Sequence, residues 1–279
     1  MPRILFLIFL LPLSLTAQRK INLTLFGGFS NYSGDLQENR FTLDQAHAAF
    51  GVGLSDELIP KLSVQGALKA GKISADDKFS KKELIRNRNL NFESGIYEFA
   101  LTLDYSLFDL YDKNWTPYVF AGGALLHYNP YAEGISLRLL STEGQGFIEG
   151  RENYNLNILT IPFGGGVRVK ITDNVYIGYE IGLRKVFSDY LDDVSKTYVD
   201  RGLLLQNRGQ TAVDLSFRGD EIKPDAPYPV PGTVRGSPKF NDWYYFSGIT
   251  LSIGIANETG KIFGKSSGRG RTDCPRSVL

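Results

Sequence analysis

From Tyr97 to Leu107 the chain alternates without a break. The odd positions are Tyr97, Phe99, Leu101, Leu103, Tyr105 and Leu107; the even positions are Glu98, Ala100, Thr102, Asp104 and Ser106. Side chains of a strand point alternately to opposite faces, so the segment predicts a strand with one apolar face and one polar or small face. The period returns at 175–184, where Val175, Ile177, Tyr179, Ile181 and Leu183 alternate with Tyr176, Gly178, Glu180, Gly182 and Arg184. It is present again at 21–29, 50–54 and 62–70, and more loosely at 118–128, 156–170 and 243–255. Eight strands are predicted, at about 20–29, 48–55, 61–73, 92–108, 117–128, 156–170, 175–187 and 242–255. Most reach the ~9–11 residues that cross a membrane as a tilted strand. Leu156 and Ile158 fall out of phase with Ile161, Phe163, Val167 and Val169, which predicts a bulge near Thr160, Ile161 and Pro162.

The connections alternate in length. Those at 56–60, 109–116 and 171–174 are short, and those at about 30–47, 74–91, 129–155 and 188–241 are long. Short turns on one side, long loops on the other and an even strand number predict an all-β fold, an eight-stranded antiparallel transmembrane outer-membrane β-barrel over 18–255. A soluble barrel of the lipocalin kind, apolar inside and polar outside, has the same alternation. Aromatic placement favours the membrane form: Tyr97, Phe108, Tyr118, Tyr128, Tyr176, Phe187, Trp243 and Tyr245 fall near strand ends, where interfacial girdles lie. The predicted surroundings are the outer-membrane lipid bilayer.

The first residues add an export signal. Arg3 precedes an apolar run from Ile4 to Leu15, broken only by Pro12 and Ser14, and Thr16-Ala17 follow; this predicts a signal peptide at 1–17. The run is shorter than the ~20 residues of a membrane-spanning helix. Residues 256–279 are rich in Gly and Ser and carry Lys261, Lys265, Arg269, Arg271 and Arg276, which predicts a flexible basic periplasmic tail. With 31 Lys+Arg against 30 Asp+Glu, bulk charge gives no reason to expect nucleic acid. One Cys excludes an internal disulfide, and two His make a His-rich metal site improbable.

Candidate chemistry is sparse. The predicted inward face carries Lys69, Glu98, Asp104, Arg168, Glu180 and Arg184, and an eight-stranded barrel has room inside only for side chains. These charges are expected to pair as a polar plug across the lumen. His127, with Ser136, Ser141 and Glu143 in the following loop, is the one imaginable hydrolytic set, but no spacing demands it and no nucleophile-elbow motif is present. Gly164-Gly165-Gly166 lacks the following helix of a phosphate loop and is expected to permit curvature or a close approach of a loop folded into the lumen. Asp189, Asp192, Asp193 and Asp200 open the longest loop. Their spacing matches no calcium loop, so a solvated loop face is expected. No catalytic residue, cofactor or metal is assigned.

Several segments together resemble one family. They are Phe26-Gly-Gly-Phe-Ser-Asn-Tyr-Ser-Gly-Asp35, Thr116-Pro-Tyr-Val-Phe-Ala-Gly122, Thr142-Glu-Gly-Gln-Gly146, Ile161-Pro-Phe-Gly-Gly-Gly-Val167, the run from Glu180 to Ser195, and Asn241-Asp-Trp-Tyr-Tyr-Phe246. From about residue 20 to 255 the chain resembles the PorG-like outer-membrane barrels of Bacteroidetes. The resemblance implies a non-enzymatic component of the type IX secretion system, which exports proteins and in some species supports gliding motility. It implies a periplasmic ring of that machine as partner, and no catalytic residues. On this reading Cys274, Arg269 and Arg271 of the tail, and Asp189, Asp192 and Asp193 of the long loop, are candidate partner contacts. A surface adhesin or small-ligand receptor acting through the long loops is the alternative.

Overall fold

The computed structural model describes residues 20–37, 42–237 and 241–256. The predicted signal peptide and the tail from 257 onward, with Arg269, Arg271 and Cys274, lie outside the described residues. The strands are β1 (Ile21–Ser33), β2 (His47–Ile59), β3 (Leu62–Asp76), β4 (Asn91–Ser106), β5 (Trp115–Ala132), β6 (Ile135–Ser136), β7 (Asn157–Thr172), β8 (Val175–Val186) and β9 (Trp243–Ala256). All but the two-residue β6 form one antiparallel sheet in the order β4-β3-β2-β1-β9-β8-β7-β5, and β4 pairs with β5 to close it. The result is the eight-stranded barrel. Closure leaves no edge, so every strand can satisfy its backbone inside a bilayer.

The faces decide the solvent. Tyr97, Phe99, Leu101, Leu103 and Tyr105 stand on the outside of β4, each half or more exposed, while Glu98 and Asp104 point inward and are buried. This is the reverse of a lipocalin, and it makes the chain a membrane barrel of the outer-membrane kind. The apolar run 97–107 climbs ~25 Å at ~3.3 Å per residue and a tilt of ~40°, the height of the apolar band of such barrels. Beyond it the outward positions turn polar, with Lys72, Glu93, His127, Asn157 and Lys185. The strands run on past this line, so the barrel rim stands above the membrane.

Three expectations change. No bulge lies near Thr160–Pro162: the register of β7 with β8 is continuous from Thr160↔Val186 to Lys170↔Tyr176 and shifts only at its end, between Lys170 and Thr172. Leu159, Ile161 and Phe163 face out, whereas Leu156 and Ile158 turn inward onto the buried core at the outer end. Second, part of the expected girdle is buried. Tyr118, Tyr128 and Tyr176 face inward, and Tyr245, on the outward side of β9, is covered by the chain at Thr42, whose carbonyl accepts its hydroxyl; Tyr97 and Phe187 are exposed, and Phe108 and Trp243 partly so. Third, the glycines at 164–166 let the backbone of neighbouring strands, and the rings of Tyr118 and Phe120, approach closely, rather than a loop. A Cβ on Gly166 would lie 2.2 Å from the Tyr179 carbonyl and 2.9 Å from the Tyr118 ring.

The long connections at the outer end fold over the mouth. They carry α1 (Glu83–Arg88), α2 (Leu137–Leu140), α3 (Arg201–Arg208) and α4 (Gln210–Ser216). Their buried side chains, among them Leu137, Leu191, Val194, Leu204 and Val213, form one cluster with inward residues of the upper barrel such as Phe92, Ile96 and Tyr128. Tyr128, Tyr154 and Tyr190 stack in a column, with interplanar angles of 10°. The cap therefore continues the barrel core.

Candidate functional site

Two polar centres are built on this frame, one in the lumen and one in the cap. In the lumen, β8 brings Arg184 across to β4. Arg184 Nε and Nη2 donate to the two oxygens of Glu98 at 2.9 and 3.0 Å, the two-pronged geometry in which guanidinium best meets carboxylate. Tyr244 of β9 donates to the same carboxylate at 2.7 Å. One layer nearer the short turns, Lys69 of β3 donates to Glu180 at 2.7 Å, and Tyr118 of β5 donates to its other oxygen at 2.9 Å. Arg168 lies 3.7 Å from Asp104, which also accepts from Thr102 at 2.9 Å. Aromatic faces cover the cations: Lys69 sits 4.5 Å from the Phe26 ring centre, Arg184 4.7 Å from Phe246 and Arg168 4.5 Å from Tyr118. The six residues marked from sequence thus meet as three ion pairs that bridge the lumen from wall to wall.

The cap centre is assembled differently. Arg235 is buried and pairs with Glu143 at 3.2 Å, while donating to the Asp193 carbonyl at 2.6 Å. Glu143 sits in the turn Thr142–Gly146, where Gly144 and Gly146 take φ of +84°, a conformation that glycine adopts without strain. From there its carboxylate accepts the backbone N–H groups of Ser195 and Lys196 at 3.0 and 2.9 Å. Asp193 accepts from Tyr154 at 2.8 Å and from Thr142. The Tyr32 hydroxyl, at the outer end of β1, lies 2.7 Å from Asp192 and 2.8 Å from Asp242. The remaining oxygens of that pair accept the Val194 and Leu191 N–H groups, both at 2.9 Å.

A model of a domain of unknown function, DUF6089, matches residues 2–201. The chain belongs to the DUF6089 family. No curated protein matches it. Of solved structures, Neisserial surface protein A covers 85% of this chain and 97% of its own at 8% identity, with a TM-score of 0.43. The outer membrane protein OprG of Pseudomonas aeruginosa covers 86% and 99% at 10% identity, with a TM-score of 0.40. A major outer membrane protein of Thermus thermophilus covers 84% and 98% at 12% identity, with a TM-score of 0.38.

In this DUF6089 chain the acids of the longest loop are not a solvated face. Asp189, Asp192 and Asp193 are 8%, 1% and 0% exposed, and so offer no surface to a partner. Asp200 caps α3, accepting from the Leu203 N–H at 2.8 Å. Burial, with Asp35 and Glu143 nearby, pushes Asp189 up to about 8, against a smaller lowering by Ser195. Burial pushes Asp193 up to about 6, partly offset by Arg235, Thr142 and Tyr154. Asp192 and Asp242 are both raised well above the carboxylate range, by burial first and then by neighbouring acids.

The imagined hydrolytic set does not assemble. His127 faces outward and meets Asn157 at 2.7 Å, while Ser136 bonds Asn129, Ser141 bonds Arg208 and Glu143 holds Arg235. His47 meets Ser74 at 2.7 Å near the outer rim, but no carboxylate hydrogen-bonds its ring among the described residues. The short-turn end is simpler. There Lys20 lies between the rings of Tyr176 and Tyr111, at 4.9 and 5.8 Å, and donates to the Asp173 carbonyl at 2.9 Å.

Sequence reading missed Tyr32, Asp242 and Arg235. Asp242 lay in a segment quoted for the resemblance, but its partners are 51 and 210 residues away in the chain, beyond any local spacing.

Proposed function

We propose that this chain is a non-enzymatic component of the type IX protein secretion machinery, anchoring or docking a periplasmic ring complex at the outer membrane. The observation that carries the reading is the closure of the outer end. The cap core continues into the barrel and ion pairs bridge the lumen below it, so the barrel serves as a fixed post more readily than as a conduit. A post offers the periplasm its short turns, the rim around Lys20 and the tail with Arg269, Arg271 and Cys274. The assignment to type IX secretion rests on the resemblance set out above, strongest over Glu180–Ser195. In the structure that run crosses from the lumen pair of Arg184 to the cap acids.

A second reading, a surface adhesin or receptor, draws on the exposed Leu84, Leu139, Val230 and Val234 of the cap. The test is a deletion strain, complemented in trans, with secreted and periplasmic proteins compared. Loss of cargo from the medium and its accumulation in the periplasm is the expected result. Normal secretion with a defect confined to surface binding would replace this reading with the second.

A further inference from the structure

The Tyr32 hydroxyl has two acidic neighbours and one hydrogen. It lies 2.7 Å from Asp192 Oδ2 and 2.8 Å from Asp242 Oδ1, and the three residues are 0%, 1% and 0% exposed. A hydroxyl donates its single hydrogen to one acceptor. If both carboxylates were ionised, the other contact would set two lone-pair-bearing oxygens at hydrogen-bond distance, with no proton between them, at side chains closed off from solvent. The geometry is satisfied when one carboxyl is protonated and donates to the Tyr32 oxygen, while Tyr32 donates to the other acid. The backbone N–H groups of Val194 and Leu191 already occupy the far oxygens, so the spare proton belongs on the bridge.

Among the described residues the surroundings do not supply a counter-charge in its place. From the 34–37 segment comes Asp35, whose Oδ2 accepts the Ser237 N–H at 2.7 Å. From the long loop comes Asp189, another acid, and from β5 the Tyr128 hydroxyl, both within electrostatic reach of the bridge. Asp193 and Glu143 lie beyond them and are taken up by Arg235. Among the described residues, Arg88 is a further cation within electrostatic reach of Asp192. Its guanidinium is committed to Asp77, at 2.7 Å through both Nε and Nη2, and to the Asp35 carbonyl at 3.2 Å.

The bridge also joins the parts that must separate if the cap is to open. Tyr32 belongs to the barrel, Asp192 to the first turn of the long loop, and Asp242 to its last residue before β9. We propose that Tyr32, Asp192 and Asp242 form a proton-dependent clasp, which holds the cap on the barrel while one carboxyl of the pair is protonated and loosens it when both ionise. The direction follows from linkage. The closed cap binds a proton that the open cap releases. Closure is therefore strongest below the ordinary carboxylate value of ~3.9 and weakens as pH rises above it towards the value of the closed pair. Between those limits one bound proton makes the opening equilibrium change about tenfold per pH unit.

The test is hydrogen exchange on the purified full chain in nanodiscs from pH 5 to pH 9, corrected for the intrinsic rate. Peptides over 188–199 and 241–246 report the clasp, and peptides from β4 report the barrel. The expected result is a protection of the clasp peptides that falls by about tenfold per pH unit over part of this range, while β4 stays constant. In Asp242→Asn, whose amide donates to Tyr32 without ionising, the fall should become shallower by about tenfold per pH unit, leaving only the part that Asp189 carries. Should that variant fail to form a barrel, judged by its heat-modifiable mobility on a gel, Asp192→Asn supplies the same amide from the other side. Protection independent of pH in the parent chain overturns the proposal, as does an unchanged pH profile in the folded amide variant. Clasp protection that chelator abolishes at pH 6 and calcium restores would also overturn it, because the acids would then be holding a cation in place of a proton.

Discussion

The lumen and the cap bury acids in opposite ways. In the lumen each carboxylate meets its own cation: Glu98 has Arg184, Glu180 has Lys69 and Asp104 has Arg168. In the cap Arg235 serves both Glu143 and Asp193, while Asp192 and Asp242 face one another across Tyr32. A balanced set of buried charges keeps its shape over the whole ordinary pH range. An unbalanced set keeps its shape only while it holds protons. The barrel is accordingly the fixed part of the molecule and the cap the conditional one.

Removing one cation from each region breaks the comparison most severely. Arg184→Met leaves Glu98 buried without its counter-charge and should cost about 3–5 kcal/mol, read as a lower urea midpoint for unfolding from vesicles. The double change Glu98→Met with Arg184→Met should recover most of that loss. A double variant as unstable as the single one would show that the pair is not the source. Arg235→Met removes the same kind of partner in the cap, at a comparable local cost, but its effect should stay local. Protease should cut within 188–241 while the barrel keeps its heat-modifiable mobility on a gel; collapse of the barrel as well would erase the distinction between the regions.

A smaller effect sharpens the contrast through pH. The folded value of Asp189, about 8, lies above the ordinary carboxylate value. Its contribution to cap stability is therefore fully present below pH ~4 and is lost as pH rises towards the folded value. Asp189→Asn should raise hydrogen-exchange protection of the cap at pH 8.5 and leave it nearly unchanged at pH 5. Equal effects at both pH values would mean that packing, not charge, governs the site. The smallest effect belongs to the rim. Lys72 and Glu93 form a pair that is 42% and 53% exposed, and Lys72→Gln should shift stability by no more than about 1 kcal/mol.

These two regions were also unequally legible in the sequence. β4 was plain because its two faces are chemically pure from Tyr97 to Leu107, and the inward charges Lys69, Glu98, Asp104, Arg168, Glu180 and Arg184 follow from parity alone. β7 misled at its outer end. There Leu156 and Ile158 are apolar and inward, because the lumen is apolar near the cap and polar below it. The inward Tyr118 misled for a related reason: it places its hydroxyl on the lumen carboxylate of Glu180, a role that a rule for interfacial aromatics does not contain. The acids of the long loop read as solvated because nothing within a few residues covers them. Their partners Tyr32, Glu143 and Arg235 come from three distant parts of the chain, and only the closed barrel brings those parts to one end.

The barrel is closed, its lumen bridged by ion pairs and its outer mouth roofed by the cap. Purified full-length chain, reconstituted into a planar bilayer at pH 6, measures this. The expected record is a membrane that stays electrically silent after insertion, with insertion verified by recovery of the folded form. A steady, reproducible conducting state under those conditions would contradict the closed barrel and, with it, the reading of this protein as a fixed post.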